Sequence, residues 1–361
     1  MQTDRVYNFS SGPAMLPESV LLQAQAELLN WQGTGVSMLE LHHRSKEFIE
    51  LAEQITENFR QLLQVPKHYK ILFMPGGGRS QFSMVPLNLL GNKTKADYVI
   101  TGLWSRMAAA EAERYAKINI LEDAKESNYT RISDPREWRI DNDAAFLHYA
   151  DNETVDGLEF DSIPDSRGIP LVCDMSSNIL TRAVDVSRFA VIYACAQKNM
   201  GPAGITVVMV HEDFLDRASP ITPSMFNYKK HAESESMQNT PPCFIWYMVG
   251  LILDWVKAEG GVSEMEKRAL ARSQKFYDYL DQSELYLNQV EARFRSRTNI
   301  VFDLRDPSLD ERFIREAATR GLVSIKGHSN RGGMRVGFYN AMPMAGVDAL
   351  IEFMRDFERK V

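Results

Sequence analysis

The 361 residues, 44% of them hydrophobic and 25% charged, exceed one ordinary domain and supply ample material for a core. A formal charge of −7 excludes a general nucleic-acid-binding surface, which needs a basic face, while leaving room for local basic clusters. Three cysteines, Cys173, Cys195 and Cys243, are too few and too odd in number for a disulfide scaffold, so a reducing compartment fits, and no metal site is expected.

The first residues, MQTDRVYNFSSGP, lack the apolar core of a secretion signal, and the cytoplasm is the expected location. The stretch 17–31 (PESVLLQAQAELLNW) places Pro and Glu in a first turn and spaces its leucines helically. A second helix is expected over 45–63, opened by Ser45 with an acidic residue close behind. Residues 69–74 (YKILFM) read as a buried strand running into PGGGRSQF. Further short apolar strands follow at 97–101, 118–121, 144–149 and 169–174, with a helix from about residue 103. Short strands alternating with helix-length segments indicate an α/β layout with a mostly parallel sheet.

The stretch 191–210 (VIYACAQKNMGPAGITVVMV) holds two more strands around Lys198. About ten residues separate their centres, fewer than a parallel crossover requires, so 205–210 should run antiparallel to its neighbour. The apolar run FIWYMVGLIL at 244–253 falls short of the roughly 20 residues of a membrane span and reads as a buried helix within 241–259. A Gly-Gly break at 260–261 marks a domain boundary. Beyond it come a helix at 262–280, a strand at 299–304, a helix at 309–321, a strand at 334–340 and a helix at 344–359, which make a smaller α+β unit.

Ligands of open α/β sheets collect at the carboxyl ends of strands. Four features fall there. The glycine loop Gly76–Gly78 with Arg79 can cradle a phosphate at a helix start, although it has neither P-loop nor dinucleotide spacing. Trp104 can stack on a flat ring, or serve as a core anchor. Asp174 can pair with a cationic ring nitrogen, or simply form a turn. Lys198 offers an amine, or a solvated strand end; with an ordinary pKa near 10.4, it is a poor nucleophile unless its surroundings change that. Each alone has an ordinary explanation, but together they make the parts of a pyridoxal 5′-phosphate (PLP) site.

The segments NFSSGPAMLP (8–17), HRSKEF (43–48), GGGRSQF (76–82), DNETVDG (151–157), AQKNMGPAG (196–204), NTPP (239–242), KGH (326–328) and GGMRVGFYNAMP (332–343) resemble the class V aminotransferases of the fold-type-I PLP enzymes, in the branch that handles phosphoserine. The resemblance covers nearly the whole chain. It implies a large domain over 15–259 with a mostly parallel seven-stranded sheet and a small domain over 260–361, with residues 1–14 packed near the latter and the active site. It also implies that Lys198 bonds the cofactor aldehyde and shuttles protons, with Asp174 on the pyridinium, Trp104 on the ring face and Thr154 at the phenolic oxygen. Gly78, Arg79 and Gln197 would bind the cofactor phosphate, joined by Asn239 and Thr240 from a second subunit of a homodimer with shared sites.

By the same resemblance Arg335 grips the substrate α-carboxylate, and Ser11, His43, Arg44, Arg79 and His328 serve the distal anionic group. The implied substrates are L-glutamate and a phosphorylated 2-oxo acid, 3-phosphohydroxypyruvate, with a second oxo acid on a pyridoxine route; neither nucleic acid nor membrane is an expected partner. One position departs from the pattern. Ser329 stands where the family carries arginine, and Arg331 follows two residues later, so either Arg331 enters the anion pocket or distal affinity is weaker. Rival readings are a cysteine desulfurase, which needs an exposed loop cysteine, an aminotransferase for small uncharged amino acids, and a cofactor-binding regulator. Cys173 and Cys195 in apolar strands and Cys243 at the start of an apolar helix count against the first, and the cationic cluster against the second. A regulator would be expected to carry a DNA-binding module, for which the first residues leave no room, and Lys198 with Asp174 counts against an inactive scaffold.

Overall fold

The computed structural model describes residues 5–361, so residues 1–4 of the expected amino-terminal segment lie outside it. In chain order the elements are β1 (Tyr7–Asn8), α1 (Glu18–Glu27), α2 (Lys46–Leu62), β2 (Tyr69–Pro75), α3 (Gly78–Leu89), β3 (Lys95–Ile100), α4 (Leu103–Ala112), β4 (Lys117–Asp123), β5 (Leu147–Ala150), β6 (Leu171–Asp174), β7 (Val191–Cys195), β8 (Ile205–His211), α5 (Tyr228–Glu233), α6 (Cys243–Ala258), α7 (Gly261–Gln282), β9 (Tyr286–Leu287), β10 (Asn299–Leu304), α8 (Asp310–Thr319), β11 (Leu322–Val323), β12 (Met334–Gly337) and α9 (Met344–Glu358).

The central sheet has seven strands in the order β2-β8-β7-β6-β5-β3-β4. Strand β8 pairs antiparallel with both β7 and β2, and the other strands share one direction. The expected antiparallel return after Lys198 is therefore present, and the sheet is of the mostly parallel fold-type-I kind. Strand alternation splits its side chains between two cores. Cys173 and Ile192 pack on the face covered by Phe48 and Phe59 of α2 and Trp246 of α6. Val172 and Tyr193 pack on the opposite face, against Phe82 and Val85 of α3 and Ala108 of α4. Both faces are thus dry, which is why the strands read as continuous apolar runs rather than alternating ones.

The apolar run at 244–253 lies within α6, and no helix among the described residues is long and apolar enough to cross a membrane. A second sheet, β12-β10-β9, with α7, α8 and α9, encloses a separate core built on Phe276, Phe302, Phe313 and Phe353. Phe9 joins that core, and β1 pairs in parallel with β11, so the amino-terminal segment is stitched to the carboxy-terminal part of the chain. Several elements are shorter than the sequence suggests, among them β5 and β6, which begin at Leu147 and Leu171. Helix α1 stops at Glu27, and Trp31 is buried in a separate 3-10 turn; β12 stops at Gly337, whose N–H is taken by the Phe9 carbonyl at 2.8 Å.

Beneath the central sheet, His148 on β5 is fully buried, stacked on Tyr98 and 2.9 Å from the Tyr193 hydroxyl. Burial pushes its imidazole from 6.5 down to about 3. Between those values the unfolded chain binds a proton that the native chain refuses, so stability must fall as pH drops. Urea titrations between about pH 7 and pH 4.5 should show the wild type losing stability more steeply than His148→Gln, by up to about 1.4 kcal/mol per pH unit. Parallel pH profiles for the two proteins would remove His148 as the cause.

Candidate active site

The carboxyl ends of β2, β3, β5, β6 and β7 open onto one cavity of about 490 Å³. Each delivers a side chain or a turn for a local reason. Strand β2 runs into Gly76, whose φ of 99° suits only glycine comfortably, and α3 then begins at Gly78 with its first N–H groups at the cavity wall. Strand β3 leads to Trp104 in the first turn of α4. Strand β5 leads to Thr154, which accepts the indole N–H of Trp104 at 2.8 Å. Strand β6 ends on Asp174, and β7 is followed by Gln197 and Lys198.

The remaining wall comes from elsewhere in the chain. His328 and Arg335 enter from the second sheet and its preceding loop, with Arg335 donating to the Thr154 carbonyl at 3.0 Å. Ser11 and Gly12 enter from the amino-terminal segment. Gly12 lies against the Lys198 stem, and its φ of 131° is a conformation that favours glycine.

The cavity gathers Ser11, Gly78, Arg79, Trp104, Thr154, Asp174, Gln197, Lys198, His328 and Arg335, all singled out from the sequence. Five others lie apart from it. His43 and Arg44 precede α2, and Asn239 and Thr240 lie exposed before α6. Arg331 requires a correction: its guanidinium makes a bidentate pair with Asp303 at 2.8 and 3.0 Å and borders a different cleft, beside Asn128 and Tyr129. It does not fill the place that the arginine missing at Ser329 would occupy, because a half-buried carboxylate already holds it.

Among the wall residues that the sequence reading missed, three carry polar side chains. Ser176 donates its N–H to Asp174 Oδ1 at 2.8 Å and accepts the Cys195 N–H on its hydroxyl at 3.1 Å, which braces the ends of β6 and β7. Its hydroxyl also faces Gly78. The signal was its place two residues beyond the strand-ending aspartate. Asn152 joins the wall while hydrogen-bonding Ser177, Thr298 and Asn299. Cys195 is buried at a strand end as expected, yet also lines the cavity.

The electrostatics suit a ligand with both charges. Burial raises the Asp174 carboxyl, opposed by Lys198 and by its Ser176 hydrogen bonds. For Lys198, burial works against the charged form, but Cys195, Tyr339, Asp174 and Glu153 outweigh it and hold the amine above its ordinary value. A depressed amine is therefore not a property of the polypeptide alone. Burial and the neighbouring Arg335 lower the His328 imidazole.

These residues fit PLP. The Gln197 side-chain oxygen is buried at the cavity without a partner, Asp174 offers an anion that a protonated ring nitrogen would satisfy, and the α3 N-terminus offers unblocked N–H groups to a phosphate.

Comparison with known proteins agrees. The family model for class V aminotransferases matches residues 6–350. A phosphoserine aminotransferase of Hahella chejuensis is 51% identical over 98% of both chains, and one from Coxiella burnetii is 50% identical over 99% of both. Among solved structures, phosphoserine aminotransferase from Bacillus circulans subsp. alkalophilus superposes with a TM-score of 0.97 at 38% identity over 99% of both chains. The PLP-bound enzyme from Trichomonas vaginalis superposes at 0.94 with 37% identity, over 97% of this chain and all of that one. With the strand-end lysine, the aspartate and the glycine loop meeting in one cavity of this fold, the chain belongs to the class V aminotransferases and is a PLP-dependent enzyme.

Proposed function

We propose that the chain transfers an amino group reversibly between L-glutamate and 3-phosphohydroxypyruvate, giving 2-oxoglutarate and O-phospho-L-serine. The observation that carries this reading is the convergence of Arg79, His328 and Arg335 on the cavity that also contains Lys198. Substrates bearing two anionic groups need such a cationic wall, and a small uncharged amino acid does not. The names of the relatives at about 50% identity support the same assignment. The same chemistry extends to 3-hydroxy-2-oxo-4-phosphonooxybutanoate, which carries the same carboxylate and phosphate and would yield 4-phosphohydroxy-L-threonine for pyridoxine synthesis.

Bound PLP would supply an electron sink for the substrate α-carbon. Lys198 Nζ would hold the cofactor aldehyde and act as base for the substrate α-proton. Asp174 would keep the ring nitrogen protonated, Trp104 would lie on the ring face, Thr154 would meet the phenolic oxygen, and Gly78, Arg79 and Gln197 would hold the phosphate. Arg335, with its planar fork, orients the α-carboxylate, and Ser11, Arg79 and His328 receive the distal group.

His43, Arg44, Asn239 and Thr240 fit this scheme through a second copy of the chain. Several large apolar side chains are exposed on the described chain: Leu29 is 84% exposed, Leu39 62% and Ile221 76%. Unburied large apolar side chains are what a subunit interface leaves on one protomer. We therefore read the enzyme as a homodimer with shared sites, located in the cytoplasm. It divides into a large unit over 15–259 and a small unit over 260–361, at Gly260 and Gly261 with their positive φ of 105° and 75°.

A coupled assay with glutamate and phosphohydroxypyruvate should show turnover that Lys198→Ala lowers by about a thousandfold or more; turnover of alanine and glyoxylate in its place would sink the assignment. Arg335→Ala should raise the KM for phosphoserine about ten- to a hundredfold, the scale of one lost charge-assisted contact, whereas Arg331→Ala should leave it within about threefold. Equal rises in steady-state titrations would mean that Arg331 leaves Asp303 for the substrate. Mixing Lys198→Ala subunits with Arg44→Ala subunits should restore about a quarter of wild-type activity, the statistical share of intact shared sites. No restoration after subunit exchange, verified by mass spectrometry, would rule out sharing.

A further inference from the structure

Glu153 is fully buried, does not line the cavity, and has no role in the reaction as described so far. Its carboxylate nevertheless receives a converging set of hydrogen bonds. Oε2 accepts the Trp104 N–H at 3.1 Å, and Oε1 accepts the Ser105 N–H at 2.8 Å and the Ser105 hydroxyl at 2.6 Å. Both residues sit in the first turn of α4, whose N-terminal flanking residue is Gly102 and has no side chain to cap them. A helix start left bare in a dry interior would orphan its N–H groups. Glu153 reaches in from the β5 side and supplies the missing acceptor.

The fit is close. A Cβ on Gly102 would come within 2.6 Å of the Glu153 Cγ and Cδ atoms, so the glycine makes room for the carboxylate. The next residue, Thr154, takes the indole N–H of the same tryptophan. Two consecutive residues of DNETVDG thus grip Trp104 at both ends, one at its main chain and one at its ring.

We infer that Glu153 is a positioning residue for the cofactor, setting the depth and tilt of the Trp104 indole through the first turn of α4. The inference rests on the reading that Trp104 packs on the PLP ring. A carboxylate stripped of water is costly unless donors and dipoles surround it; here three donors and a helix N-terminus do so. Burial still pushes its pKa from 4.5 up to about 7, with the Ser105 and Trp104 hydrogen bonds opposing. A group kept under that strain for capping alone could be replaced by Asp or Ser at residue 102, the ordinary solution at a helix start.

Glu153→Gln keeps the shape but turns an N–H2 toward one of the donors. Purified apo-protein reloaded with PLP should bind it about tenfold more weakly than wild type by equilibrium dialysis, and its visible circular-dichroism band should shrink. Ser105→Ala, which removes one donor, should move both readouts in the same direction by a smaller factor. A Glu153→Gln protein that melts earlier but keeps the wild-type band and a Kd within about twofold would make Glu153 a structural cap only, and would overturn the inference. Should Glu153→Gln fail to fold, Ser105→Ala decides: unchanged PLP affinity and band would overturn it equally. Trp104→Ala separates the two levels. If Trp104→Ala leaves the band and the affinity intact, the stacking reading falls and this inference with it; if only Trp104→Ala moves them, the inference alone falls.

Discussion

The register between β6 and β7 is the constraint on which the active site rests. Asp174 is aligned with Tyr193 across that pair, and both strands run the same way, so the carboxylate and the turn carrying Lys198 emerge at one rim. A slip of one residue would turn Asp174 to the opposite face of the sheet and place an unpaired carboxylate in the apolar core. Ser176 fixes the alignment further by bonding Asp174 with its N–H and the Cys195 N–H with its hydroxyl. Dry faces on both sides make the register costly to change, because the side chains of each strand are committed alternately to two different cores.

The rim is completed by elements that do not belong to the large sheet. The crossing of Gly12 over the Lys198 stem, the Ala14 N–H on the Gln197 carbonyl, and the Tyr339 hydroxyl donating to the Ser11 carbonyl tie the amino-terminal segment to the catalytic turn. Asn299 donates to the same tyrosine hydroxyl and accepts from Asn152, so a buried polar chain runs from the second sheet to the cavity wall. Interlocked buried polar groups of this kind tolerate few alternative arrangements.

The loop at 326–333 is closed by main-chain bonds from Arg331 and Gly332 to the His328 carbonyl, and the Arg331 guanidinium is held by Asp303 in β10. Within the described chain, the cations of the cavity wall are Arg79, Lys198 and Arg335, with His328 beside them.

The sequence by itself determined the strands of the central sheet, the antiparallel return after Lys198, and the set of residues that could form a PLP site. Those strands carry short apolar runs, the return is too short for a crossover, and motif residues adjoin strand ends whatever the packing. It was blind to Ser176, Glu153 and the Arg331–Asp303 pair, because those contacts join positions from 2 to 49 residues apart whose side chains carry no local periodicity. Only the tertiary structure decided which of two nearby arginines faces the cavity and which glycine yields space to a buried carboxylate. Those outcomes depend on which charged and polar groups meet once water is excluded, and no stretch of chain encodes that by its own neighbours.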